Sequence, residues 1–225
     1  MYFPALPFAS CFAYLPGGSG SVCEEGRQLC AHLKAADSTW LPRLVSRVWL
    51  ETSGHGRFAS VFDGRTVLVP VPGSTALQRE DWVGARLAWC FGELGLGAQV
   101  LPLLRRRYAV RKSAFAPMGQ RPSVKEHYAS FAVDAGFGGR ELAATYRRGG
   151  RSGGTALRLT LVDDVITRGR TLLAAARRIR ESFPGVEVRA FALLRTLGPQ
   201  EVMRQVLDPC EGEVLWMFGD ARRSP

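Results

Sequence analysis

The chain has 225 residues, 46% of them hydrophobic and 22% charged, with a formal net charge of +10. That length is ample for one domain with a sizeable core, and the balance is that of an ordinary soluble globular protein. No window approaches the roughly 18 apolar residues of a membrane span, so no membrane partner is expected.

The chain opens on an apolar segment, Tyr2 to Phe8, with prolines at positions 4 and 7 and no basic flank. It does not read as a signal peptide but as a mature segment packing on the body. Ser21 followed by Glu24 forms a capping box and predicts a helix from about Val22 to Ala36. A second helix is expected from Leu41 to Leu50. Gly54-His55-Gly56 breaks that pattern, and Asp63-Gly64 makes a turn.

Thr66 to Pro72 is an apolar run that reads as a buried strand ending in a Pro/Gly/Ser loop. The loop carries Ser74, Thr75 and Arg79, and a helix from Asp81 to Leu94 follows. Backbone N–H groups and hydroxyls at a strand end are what a diphosphate site needs.

Residues 105–131 read as irregular and basic. Arg111 and Lys112 lie there, either in a lid over a polyanion or on a solvated charged face. His127 reads as a surface histidine rather than a general base. Residues 147–154, arginine- and glycine-rich, read as a flexible loop or hairpin tip.

Residues 157–162 form a second apolar strand ending at Asp163. From Thr171, Leu172, Ala175, Ala176, Ile179 and Phe183 fall at helical spacing, and Pro184-Gly185 stops that helix. A strand from Val186 to Leu194 follows. Strand, helix and strand make a βαβ unit, hence a parallel sheet with ligands bound beyond the carboxyl ends of its strands. The tail is expected to hold a helix from Pro199 to Leu207 and a strand from Glu213 to Phe218. There is no internal repeat and no GxGxxG or Walker-type loop.

The run from Leu159 to Thr171 carries the chemistry. Asp163 and Asp164 are acceptor-only groups suited to vicinal hydroxyls. Residues Thr167, Arg168, Gly169, Arg170 and Thr171 sit at a helix N-terminus, where unpaired N–H groups and the helix dipole favour an anion. Glycine lets the backbone approach, the threonines add hydroxyls, and the arginines add charge. A diol site beside a phosphate cradle describes a ribose 5-phosphate.

The five cysteines are odd in number and widely spaced, and fit no zinc pattern; buried free thiols in a reducing cytoplasm are expected. Only three of the 30 basic residues are lysine. A basic balance suits an anionic ligand or nucleic acid, and a genomic preference for arginine explains it equally well.

The chain resembles the type I phosphoribosyltransferases, and within them the competence-associated ComF group. The similar pieces are Arg27 to Lys34, Val69 to Pro72, Gln120-Arg121 running to Phe131, and Val162 to Thr171. The ComF zinc module of four cysteines is not present. Residues 79–84 differ from the stretch usual after the proline-valine-proline strand.

The resemblance implies an α/β fold with a five-stranded parallel core flanked by helices, capped by a small hood. On that basis residues 1–62 are expected to form an N-terminal helical or hood segment and residues 63–225 the core. Asp163 and Asp164 would bind the ribose hydroxyls of 5-phosphoribosyl 1-diphosphate (PRPP), and residues 167–171 its 5-phosphate. Ser74, Thr75 and Arg79 would face its pyrophosphate. Mg²⁺ is the implied cofactor, held at Asp163 and Asp164 through the ribose hydroxyls or water. Two functions are compatible with this: phosphoribosyl transfer to a base or amine, and a non-catalytic PRPP, nucleotide or nucleic-acid binding protein. A homodimer is a further partner state to test.

Overall fold

The computed structural model describes residues 2–35, 39–54, 56–76, 82–111, 121–134, 136, 139–142, 144, 157–198 and 201–224. Arg79, Lys112 and the arginine-glycine segment 147–154 lie outside them.

The strands are β1 (Leu6–Tyr14), β2 (Val67–Pro70), β3 (Gln99–Val100), β4 (Leu104–Arg106), β5 (Phe131–Val133), β6 (Arg158–Ile166), β7 (Glu187–Thr196), β8 (Leu207–Met217) and β9 (Asp220–Ser224). The helices are α1 (Ser21–Lys34), α2 (Leu41–Trp49), α3 (Val83–Glu93), α4 (Val124–Ser130) and α5 (Arg170–Ser182). Seven strands form one sheet in the order β3-β2-β6-β7-β1-β8-β9. Its first five members are mutually parallel, and β8 and β9 add an antiparallel hairpin. The expected α/β fold with a five-stranded parallel core is present.

Helices cover both faces. Leu172, Leu173, Ala176 and Ile179 of α5 and Val124 of α4 pack with Leu159, Leu161 and Ala190 on one face. Leu29, Leu44, Leu87 and Phe91 of α1–α3 pack with Val162 and Phe191 on the other. Burial on both faces is why β6 and β7 read as continuous apolar runs rather than alternating ones.

Several expectations change. Residues 1–62 do not stand apart from the sheet, because β1 lies between β7 and β8. Phe3 packs on the body, 4.7 Å from the Trp216 ring. Ser21 is a helical residue rather than a cap. Gly20 precedes it, and the Glu24 carboxylate is taken by Arg27 and Gln28. The capping box lies at Ser123 and Glu126, where it starts α4 within the stretch expected to be irregular. Residues 201–205 are not helical. Val206 O accepts from Ala13 N at 2.8 Å, and β8 begins at the next residue, Leu207. The tail strand is a hairpin, turned at Phe218 and Gly219 with φ of 51° and 81°. Among the described residues no helix is long and apolar enough to cross a membrane.

Phe191 anchors the second core, with Phe58, Phe62 and Phe91 centroids at 5.5, 4.8 and 5.4 Å. Phe191→Ala removes the centre of that cluster, and a loss of about 3–5 kcal/mol is expected from urea unfolding midpoints.

Candidate functional site

Strand β2 runs through α3 to β3 on one side, while β6 runs through α5 to β7 on the other. The helices of these two crossovers lie on opposite faces, so the carboxyl ends of β2 and β6 flank a topological switch point. Val71 N donates to Val162 O at 2.9 Å, and Trp82 Nε1 donates to Val71 O at 2.9 Å. These bonds fix where the β2 loop leaves the sheet.

Asp163 and Asp164 lie within β6, before its end at Ile166. The Asp163 carboxylate accepts from Asp164 N at 2.9 Å, and that of Asp164 accepts from Val165 N at 2.9 Å. Strand alternation sends the two side chains to opposite faces. Asp163 pairs across the sheet with Ala192 and lines a cleft on the α5 side. Asp164 is not among the residues lining that cleft; its charge reaches the Cys30 thiol of α1, and its carboxylate also hydrogen-bonds the Asp163 carboxyl. Burial pushes the Asp163 carboxyl well above the usual carboxylate range, and the Asp164 charge adds to this.

The cleft holds about 120 Å³ and is lined by Asp163, residues 165–172, Arg121 and His127. It gathers Asp163 and all five residues expected of the phosphate loop. Gly169 is the N-cap of α5, with φ 79°. A Cβ there would lie 2.5 Å from Val214 Cγ2 of β8, so only glycine meets both demands. Thr167 Oγ1 lies 3.2 Å from Thr196 Oγ1 at the end of β7.

The two loop arginines are not left to a ligand alone. Arg170 Nε donates to Asp220 Oδ1 at 2.6 Å, and its Nη2 donates to Asp220 Oδ2. Arg168 Nη1 donates to Asp220 Oδ2 at 3.1 Å. Asp220, on β9, thus ties the C-terminal hairpin to the loop, and these bonds hold its carboxyl below the usual range despite partial burial.

His127 is not on the surface: it is 4% exposed and borders the cleft. The box at Ser123 starts α4 and turns Val124, His127 and Ser130 inward. Its Nδ1 lies 3.2 Å from Arg106 Nη2, and its Nε2 lies 3.4 Å from Thr171 Oγ1. Burial, aided by Arg106, pushes the imidazole pKa down to about 3. Arg106 is itself buried, with its guanidinium 4.0 Å from the Phe131 ring centroid. It donates to Gly73 O of the β2 loop at 2.8 Å and to Ser130 Oγ. Burial lowers its pKa to about 10 against the opposing pull of Asp163.

On the β2 side, Ser74 O accepts from Val110 N at 2.8 Å, which brings residues 108–111 beside that loop. Ser74 is half-buried and Thr75 exposed. Arg111 is exposed and borders a second cavity of about 420 Å³ with Tyr108, Glu126 and Arg121. Arg121 also lines the first cleft, so the two cavities are neighbours.

Among the described residues no three His, Cys, Asp or Glu side chains cluster as metal ligands. The donors that are present suit Mg²⁺ brought in on a substrate's phosphates and water, with one carboxylate beside it, which is how that ion is commonly held.

Gly169→Ala is expected to lose about 2–5 kcal/mol in urea unfolding, from backbone strain plus the contact with Val214. The pH dependence of stability gives a second check. His127 titrates near pH 6.5 unfolded but stays neutral folded, so the unfolded chain binds the extra proton between pH 6.5 and 3. Stability from this residue is present at neutral pH and falls as pH falls. Wild type should lose up to about 1.4 kcal/mol per pH unit below roughly pH 6 relative to His127→Gln, read from urea midpoints between pH 7.5 and 4.5. Asp163, with its raised folded pKa, contributes the opposite slope in both proteins and cancels in the difference. No protein-family model matches this sequence, and no curated protein matches it either.

Proposed function

We propose that this chain binds PRPP and transfers its phosphoribosyl group to a base or amine, releasing pyrophosphate. The observation that carries the reading is the cleft at the β2/β6 switch point. It joins a desolvated carboxylate to a glycine-capped helix N-terminus, with a second basic cavity alongside. The N-terminus of α5 and the hydroxyls of Thr167 and Thr171 take the 5-phosphate. Asp163 and Asp164 serve the ribose hydroxyls, Asp163 from the cleft wall and Asp164 beside it through its contact with the Asp163 carboxyl. Ser74, Thr75 and Arg79 take the pyrophosphate, with Arg111 and Lys112 as lid residues.

In the transfer, the bond from C1 to the pyrophosphate oxygen breaks and its electron pair leaves with that oxygen. The acceptor's lone pair then bonds to C1, and the acceptor's proton passes to water. The protein's share is positioning and charge stabilisation of an oxocarbenium-like state. Mg²⁺, when bound, would neutralise charge on the leaving group. The five free cysteines and the phosphorylated substrate suit a reducing cytoplasm.

A second reading is a PRPP or nucleotide binding protein without turnover, or a nucleic-acid binder of ComF type. Only one of the paired acids faces the cleft, and that observation favours it. Incubation with PRPP, Mg²⁺ and a panel of bases, with pyrophosphate release as readout, separates the two. Turnover that Asp163→Asn reduces at least tenfold supports the enzyme. Calorimetric PRPP binding with no turnover supports the binding protein, and no binding of PRPP or nucleotide rejects both. Nucleic-acid binding through the arginines would weaken steeply with salt.

A further inference from the structure

The side chain of His127 has two ring nitrogens in different situations. Nδ1 faces Arg106 Nη2 at 3.2 Å, and a guanidinium has only donors to offer. Nδ1 is therefore the acceptor, and in a neutral ring the proton must sit on Nε2. That N–H projects toward the phosphate loop, where its one contact among the described residues is the long 3.4 Å approach to Thr171 Oγ1. The residue is more than nine-tenths buried, and it borders the cleft. A buried donor with only a long partner is poorly satisfied, and such groups persist where a ligand completes them.

We propose that His127 is a ligand-binding residue whose Nε2–H donates to an oxygen of the bound phosphate, and that Arg106 is the positioning residue that fixes the tautomer. This rests on the ribose 5-phosphate reading of the cleft. The charged groups around the ring are Arg106 from β4, Glu126 on its own helix and Arg170 from α5. Protonating the ring would set a second cation against Arg106, so the donor stays uncharged over the physiological range. Arg168 and Arg170 are both bonded to Asp220. The phosphate is thus met largely by neutral donors: backbone N–H groups, two threonine hydroxyls and one imidazole N–H.

Arg106 gives the arrangement a second consequence. It bonds Gly73 O in the β2 loop with one nitrogen and His127 with another. The two anion-facing loops are therefore linked through a single buried guanidinium.

The test uses the whole chain with inorganic phosphate and with ribose 5-phosphate as probes. Calorimetry on wild type, His127→Leu and His127→Gln gives the affinities. Leucine, which cannot donate, should weaken binding of both probes about tenfold to a hundredfold, the loss of a hydrogen bond to a charged group. Glutamine, whose amide can donate from a similar place, should stay within about threefold. In wild type, long-range ¹H–¹⁵N spectra of the three histidines should show His127 as the Nε2–H tautomer from pH 5 to 8. Its Nε2 resonance should shift as phosphate saturates. The Nδ1–H tautomer, an Nε2 unmoved by phosphate, or leucine binding as tightly as wild type would overturn the role of His127 and leave the site standing. Wild type binding neither probe nor PRPP would overturn the site reading itself. If His127→Leu fails to fold, the spectra of wild type and the glutamine variant decide.

Discussion

The structure depends on the burial of one strand. β6 is paired along both edges, to β2 and to β7, and covered on both faces by helices. Leu159, Leu161 and Val162 are fully buried. Such a strand tolerates polar side chains only where it leaves the sheet, and there two carboxylates appear. Each accepts from the next backbone N–H, which offsets part of the cost of removing charge from water. The remaining cost is what raises the Asp163 carboxyl, and it makes that group responsive to any diol or cation placed beside it.

The loop before α5 poses a second electrostatic problem. The N-terminus of α5 carries a partial positive charge, and Arg168 and Arg170 on either side of its N-cap are unfavourable there. Asp220 answers this by lending a carboxylate from β9 to both guanidinia. The helix end thereby has the negative neighbour it favours before any ligand arrives. Val214 of β8 closes on Gly169 from the same hairpin. The β8–β9 hairpin is thus part of the loop's support through Val214 and Asp220, although it carries no motif of its own.

How much of this was legible in the sequence varies with the range of the interaction. The βαβ unit from Arg158 to Thr196 was readable because its signals are local: an apolar run, a glycine loop, helical spacing and a proline-glycine stop. Asp163 and the residues 167–171 were found together for the same reason. The placement of β1 inside the sheet was not readable, because pairing with β7 and β8 is decided by residues far along the chain. Asp220 was missed for that reason too. His127 was a different failure. Ser123 and Glu126 spell a capping box, and reading it would have placed His127 one turn on from the buried Val124. The same spacing at Ser21 and Glu24 is a competing signal, but there Arg27 and Gln28 bind the glutamate. Strand alternation places Asp163 and Asp164 on opposite faces of β6, yet their carboxyl groups stay close enough to interact.

The position of β1 also governs the order in which the molecule can be assembled. Its residues Leu6 to Tyr14 precede the rest of the sheet in the chain, yet their partners are Ala190 to Thr196 on one side and Leu207 to Val214 on the other. Closing such long loops raises the entropic barrier and slows folding relative to a chain of local contacts. During synthesis this apolar segment therefore waits, both edges unpaired, until β7 and then β8 have emerged. The prolines at positions 4 and 7, which lack an N–H to offer another strand, reduce its capacity to pair with a wrong neighbour in that interval.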